Sequence, residues 1–418
     1  MRSGGFDCVI GNPPYGAAMM EVEEEYMRSR FRTATRDLDS YTMFVEKAVG
    51  VSRTGGRIGM IVPTGWYSGP KFSALRRLVA TATDPRAFVN LPYDVFPAWV
   101  DTTVFILAKR SQPLSWPRSA RCTLILKTFP KRHTIDSVTE FDDGVEPAEL
   151  TDWLTGTSDE FLTYAATSQT AILHRIQSVS KPLSDFADVQ RGVTPFRLTP
   201  TREHGNCAHA FAGTVKRYSL DLGPRRYVRF DDSLAEPKPE RYFKGKRLLL
   251  RELISRQFRL QAVNIDGDLV TNKSMQSILP IPRGPDLSYL LGCLNSRLMS
   301  WYFLRRSNIA QRDDFPKIVL RETRALPIRV INFSDPAGKA RHDKMVALVG
   351  RMLELNKRKH SGAVAAMSSS PPSAKSPVGT PALQLERQIV ATDSEIDNLV
   401  YELYGITSEE RKIIEGAL

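Results

Sequence analysis

Paired cysteines, long apolar runs and a hydrophobic leader are all missing from this sequence. Its 418 residues hold four cysteines, Cys8, Cys122, Cys207 and Cys293, too far apart to suggest a disulfide framework or a zinc knuckle. His204, Cys207 and His209 cluster, but no fourth ligand stands at metal-site spacing, so no metal is assigned. Apolar runs such as Ile58 to Val62 and Val104 to Ala108 fall far short of the ~20 residues that span a bilayer. The first residues also lack the pattern of a secretory leader, so a cytoplasmic protein that enters no membrane is expected. Acidic residues are relatively few: 46 Asp and Glu face 58 Lys and Arg, a formal charge of +12. That balance favours a polyanionic partner, because each cation placed on a phosphate releases condensed counterions.

What is present reads as two kinds of structure. Residues 1–110 alternate strand and helix: an apolar strand Phe6 to Ile10, a helix from about Ser40 to Arg53, and a buried strand from Arg57 to Pro63. A helix from about Pro70 to Ala80 and strands Phe88 to Pro92 and Thr102 to Lys109 complete an α/β segment, half of a doubly wound sheet. Residues 111–179 are mixed, with proline punctuation and a helix near Thr170 to Val179, and read as a connector. Residues 180–330 turn basic and rich in short β-like runs, as expected of a separate α+β domain. From 331 to 418 the pattern is a helical tail. One helix opens with Asp335 as cap and Pro336 at the first position, and a closing hairpin turns at Gly405 with Thr407 and Glu410 spaced as a capping box. Between them, Ser361 to Pro381 has too little apolar surface to offset chain entropy, and its composition predicts a disordered tether.

The residues that carry chemistry are Asn12, Pro13, Pro14 and Tyr15. They follow the Phe6 to Ile10 strand, on the loop at a strand's carboxyl end where α/β sheets bind ligands. Chance places these four residues together in a chain of this length on the order of once in a thousand. Two prolines fix φ and remove two N–H donors, so the loop offers carbonyls on a stiff backbone. The Asn12 side-chain oxygen and the Pro13 carbonyl suit the two hydrogens of an exocyclic amine, drawing its nitrogen toward a tetrahedral geometry with a free lone pair. Tyr15 suits stacking on a base once that base is extruded from its duplex.

Phe6 to Gly16 resembles the catalytic motif of gamma-type N6-adenine DNA methyltransferases with a TaqI-like specificity domain, as found in fused restriction-modification enzymes. Gly55 to Pro63 resembles that family's next strand. Val95-Phe96-Pro97, followed by Asp101 to Leu107, resembles the motif whose aromatic touches the flipped adenine, a role the resemblance gives to Phe96. It further implies a Rossmann-like sheet of which strands four to seven are present here, a double-stranded DNA substrate, and S-adenosylmethionine as methyl donor. Val189 to Thr194, Leu248 to Arg251, Val270 to Ser274, Leu290 to Ser296 and Glu395 to Gly405 resemble the specificity half.

Within that half, Arg241 to Leu260 holds seven Lys or Arg against the single acid Glu252, a density that suggests an anion. Lys244, Lys246 and Arg247 are candidates for phosphate contacts, and Arg191, Thr194, Arg251, Asn272 and Lys273 complete the candidate DNA surface. In the family the donor is held by a Gly-containing loop and an acidic residue upstream of the Asn-Pro-Pro-Tyr strand, and neither has a counterpart here. The expected strand order 3-2-1-4-5-7-6 would then leave the Phe6 to Ile10 strand as an open apolar edge. Such an edge invites pairing, so the chain is expected to be a fragment, or to need an amino-terminal methyltransferase half or another restriction-modification subunit. A DNA-binding specificity subunit without activity of its own is the alternative. A methyltransferase acting on RNA or on a glutamine side chain is a third reading, and the basic half speaks against glutamine.

Overall fold

The computed structural model describes residues 4–416, apart from 17–19, 36–37, 94, 97–99, 131–132, 155–158, 203–206, 283, 308–315 and 369–380. The chain divides into two units, Met1–Ala171 with Arg305–Asp314, and Ile172–Leu304 with Phe315–Leu418.

The first unit is a six-stranded mixed sheet. Its strands are β1 (Phe6–Gly11), β2 (Ser52–Pro63), β3 (Thr83–Asn90), β4 (Thr102–Lys109), β5 (Thr123–Thr128) and β6 (Glu146–Glu149), in the order β1-β2-β4-β3-β5-β6. β1 runs parallel to β2, β4 lies antiparallel between β2 and β3, and β5 returns parallel to β3. The first four strands therefore follow the expected order. Helices α1 (Glu21–Arg30), α2 (Ser40–Val51), α3 (Ser73–Ala82) and α4 (Leu150–Trp153) accompany them. The core is aromatic, with Trp66, Phe88, Phe105 and Phe161 at most 1% exposed and their rings edge to face or tilted, an arrangement worth about 0.5–1.5 kcal/mol per pair beyond area burial.

Residues 111–179 are not a connector. β5 and β6 extend the same sheet, and the stretch before them is anchored by buried Arg118. Its guanidinium donates to the Ala80 and Thr83 carbonyls and to Asp84, while Glu149 accepts from the Cys122 N–H. α5 (Thr167–Ser178) falls close to the expected helix. As anticipated, β1 ends the sheet. Phe6 is 50% and Ile10 82% exposed, and among the described residues β1 is bonded to β2 alone.

The second unit contains β7 (Ser180–Pro182), β8 (Ala187–Arg191), β9 (Cys207–Ala210), β10 (Thr214–Lys216), β11 (Ser219–Asp221), β12 (Arg226–Arg229), β13 (Arg247–Arg251), β14 (Ala262–Ile265), β15 (Met275–Pro280) and β16 (Pro327–Arg329). A four-stranded antiparallel sheet, β14-β13-β15-β8, is its centre, with the pairs β9/β12, β10/β11 and β7/β16 around it. Leu248 to Leu250 of β13 are fully buried, which is why that run carries no alternation. Its helices are α6 (Leu287–Asn295), α7 (Arg297–Arg306, whose last two residues belong to the first unit), α8 (Leu320–Arg324), α9 (Pro336–Ser368), α10 (Pro381–Tyr404) and α11 (Ser408–Gly416). Asp335 accepts from the N–H groups of Ala337 and Gly338, and Thr407 with Glu410 forms the expected capping box. Trp301, Tyr302 and Phe303 are core residues.

The first part of the Ser361 to Pro381 stretch is helical, against the expected tether. α9 continues through Ser361 to Ser368, where Ala363, Ala365 and Ala366 favour helix, and α10 begins at Pro381; residues 369–380 lie outside the described ones. No helix among the described residues is long and apolar enough to cross a membrane.

Candidate catalytic loop and nucleic-acid surface

β1 delivers Asn12 to the sheet's end because its register against β2, Ile10 opposite Gly59 and Gly11 opposite Met60, stops where the prolines begin. Pro13 is buried while Asn12 and Pro14 are exposed, so Pro13 seats the loop while the asparagine faces outward. The Tyr15 hydroxyl donates to Asn12 Oδ1 at 2.8 Å and lies 3.1 Å from the Ile61 carbonyl. Tyr15 is part-buried, and that burial raises its phenol's pKa, so it remains a donor at neutral pH. Having two lone pairs, Asn12 Oδ1 can take an amine hydrogen while keeping the Tyr15 hydrogen bond.

A support not legible in the sequence stands behind the loop. Ser40, at the start of α2, donates to the Pro14 carbonyl at 2.6 Å, fixing the direction of that peptide. Tyr41, 1% exposed, sets its ring edge-on to Tyr15 at 6.4 Å and against Phe72 at 5.9 Å. Burial drives the Tyr41 phenol's pKa upward, so that ring acts as a packing wall. Only the helix-start position of Asp39 and Ser40 hinted at this contact; the fold alone brings Ser40 to Pro14.

Phe96, half-buried, lies in the loop between β3 and β4. The ends of that loop are tied by Leu91 N–H to the Thr102 carbonyl and by Thr64 N–H to the Asp101 carbonyl. Because Thr102 pairs with Pro63 at the end of β2, Phe96 is at the same end of the sheet as Asn12. Pro97 of its motif lies outside the described residues.

The candidate DNA residues fall at two ends of the second unit's sheet. Arg191, Arg251, Asn272 and Lys273 meet where β8 and β13 finish and β15 begins: Gln276 pairs with Arg191 and Met275 with Arg251, and Val193 bridges Asn272. The approach depends on Gly192, where an added Cβ would stand 2.1 Å from the Thr271 carbonyl oxygen. Arg191 already pairs with Glu236 at 2.8 Å, the Thr194 carbonyl accepts from Glu236 N–H, and Asn272 Oδ1 accepts from Ser274 N–H as an Asx turn. Lys273 is exposed.

At the other end, Lys244 and Lys246 are exposed, Lys244 pairing with Glu240 at 2.5 Å. Arg247 does not join them. It is 0% exposed and donates to the carbonyls of Gly245, Gly267 and Leu269. Burial pulls its pKa down to about 10, so it stays cationic at neutral pH but is a structural brace that no phosphate reaches. The strand start at Arg247, heading a buried leucine run, turns this side chain inward.

Among the described residues no three His, Cys, Asp or Glu converge on a possible metal position; His204 lies outside them. Four of the glycines stand outside a strand-to-helix turn. Gly55 and Gly56 lie within β2, Gly245 leads into β13, and Gly405 separates α10 from α11, so none follows a strand and opens a helix, the setting that cradles a nucleotide-like ligand.

Residues 1–96 match the Eco57I restriction-modification methylase family, and residues 209–328 match the TaqI-like C-terminal specificity domain. A Methanocaldococcus jannaschii protein described as a type II restriction enzyme and methyltransferase is 28% identical over 341 residues, covering 78% of this chain and 28% of that protein. The type II methyltransferase M.XhoI of Xanthomonas vasicola is 32% identical over 134 residues, 30% of this chain and 21% of the relative. This chain therefore spans less than a third of the length of either. Among solved structures, the type IIL restriction-modification enzyme MmeI in complex with DNA shares the fold at a TM-score of 0.56 and 11% identity, over 98% of this chain and 56% of that one.

Proposed function

We propose that this chain, which joins an Eco57I restriction-modification methylase segment to a TaqI-like specificity domain, serves site-specific methylation of adenine N6 in DNA with S-adenosylmethionine as donor. The observation that carries the reading is the exposed Asn12 oxygen held beside Tyr15 on a proline-stiffened loop at the end of β1. Adenine's amine is a poor nucleophile because its lone pair is shared with the ring. Asn12 Oδ1 and the Pro13 carbonyl accept its two hydrogens and localise that pair, while Tyr15 and Phe96 hold the extruded base. Ser40 keeps the Pro14 peptide turned so that the loop retains its shape. Arg191, Thr194, Lys244, Lys246, Arg251, Asn272 and Lys273 position the duplex.

Gly55, Gly56, Gly245 and Gly405 do not offer the methyl donor a strand-to-helix cradle. In our reading the donor site is completed by polypeptide added along β1, from an amino-terminal half or a partner subunit. The open β1 edge with exposed Phe6 and Ile10, and the unsuitable setting of the glycines, support this. Expression in a host without adenine methylation, followed by mass spectrometry of digested DNA, tests the assignment. N6-methyldeoxyadenosine is expected once the chain is supplied with its adjoining or partner polypeptide. N4-methylcytosine instead would contradict it. Sequence-specific DNA binding without any methylation would favour the specificity-subunit reading.

A further inference from the structure

A cavity of about 300 Å³ opens in the second unit beside the start of β13. Phe230, Phe243 and Val270 form an apolar side that belongs to, or rests on, the buried cluster around Val193 and Val228. A second wall is the cross-strand pair His209 and Tyr227 of β9 and β12, ring centroids 6.4 Å apart. Arg225 sits 5.9 Å over the Tyr227 ring, and Glu240 and Asp268 bring acceptors to the same lining. The volume is at the lower end of the ~300–1,000 Å³ typical of small-ligand sites, enough for one nucleotide unit.

Base edges inside a paired duplex lie in grooves and are read by side chains that protrude into them. A concavity works the other way: it takes what protrudes from the nucleic acid, an unpaired base. Ring and apolar walls suit the two faces of a base, the Asp268 carboxylate suits its N–H groups while Glu240 is held by Lys244 of the same lining, and a guanidinium at Arg225 suits the adjoining phosphate. We infer that this cavity binds one unpaired nucleotide of DNA, the base against Tyr227 and the phosphate on Arg225. The inference rests on reading the second unit as DNA-binding, and it is separate from the Asn12 loop, which belongs to the first unit. The nucleotide comes either from inside a duplex, as the base left opposite an extruded one, or from a single-stranded end.

Fluorescence anisotropy with the 418-residue chain separates these sources. The probes are a paired duplex, the same duplex with a one-nucleotide bulge of each base, with an abasic bulge, or with a single-stranded end, and free deoxynucleoside monophosphates as competitors. At least one bulged or end base is expected to tighten binding about tenfold over the paired and abasic duplexes, the preferred probe naming the source. Tyr227→Leu should remove that gain without changing affinity for paired DNA, and Tyr227→Phe should keep it. Equal affinity for all duplexes, a gain that survives Tyr227→Leu, or free monophosphates binding as tightly as the bulge would each overturn the inference while leaving DNA binding intact. Absence of binding to any of these DNAs would overturn both the inference and the reading beneath it.

Discussion

Removing the guanidinium of fully buried Arg247 takes the hydrogen-bond partner from the carbonyls of Gly245, Gly267 and Leu269, the last of them buried. Arg247→Met is therefore expected to cost about 3 kcal/mol in urea unfolding and to leave the salt dependence of DNA binding unchanged in whatever fraction stays folded. Lys246→Ala should do the reverse, with stability held within about 0.5 kcal/mol and the slope of log affinity against log salt falling by about one. The two residues are adjacent in a basic run, and charge density could not tell them apart; only the strand start, which turns one inward, does. Asn12 to Tyr15 stands out in the sequence as a candidate site for the opposite reason. Its acceptors, its stiffness and its aromatic ring are contiguous in the sequence, whereas Ser40 meets Pro14 at a sequence separation of 26, with only its helix-start position as a hint.

At the scale of elements, Asp84 shows why the stretch after β4 is part of the first unit. It pairs with Arg110 and with buried Arg118, both at 2.7 Å. Burial pushes the Asp84 pKa up, but the hydrogen bonds and charges of Arg118 and Arg110 outweigh it and hold the value below its ordinary 3.8. With the folded value depressed, the unfolded chain binds more protons as the pH falls, so this contribution is complete above about pH 4 and is lost on acidification through the depressed pKa. Asp84→Asn is expected to lose about 2 kcal/mol at pH 7, since Arg118 stays buried without its counter-charge, and to show a shallower fall in stability below pH 4. Urea titrations across that range would expose an unchanged acid slope, which would remove Asp84 from this role. The first four strands were readable because their apolar periods are strong. β5 and β6 were not, because proline-rich turns surround short strands whose sheet membership depends on Arg118 and Glu149, and these act over long sequence separations.

For the molecule as a whole, recognition and donor binding are proposed to lie in separate polypeptide. Calorimetry on the purified 418-residue chain should show salt-dependent affinity for duplex DNA and millimolar or weaker affinity for S-adenosylmethionine; a micromolar donor affinity would refute the placement of that site along β1. Self-association through the same edge should fall on Ile10→Lys, as sedimentation would show, because a charge on an exposed edge strand blocks edge-to-edge pairing. The central claim, that Asn12 holds the amine of an extruded adenine, is tested most directly by introducing Asn12→Ala into the native gene and sequencing single molecules of the cell's genomic DNA. Loss of N6-methyladenine from one recognition sequence, by at least about 100-fold in methylation rate and with DNA affinity retained, is the expected result. An adenine methylation pattern identical to that of the unaltered gene would contradict it.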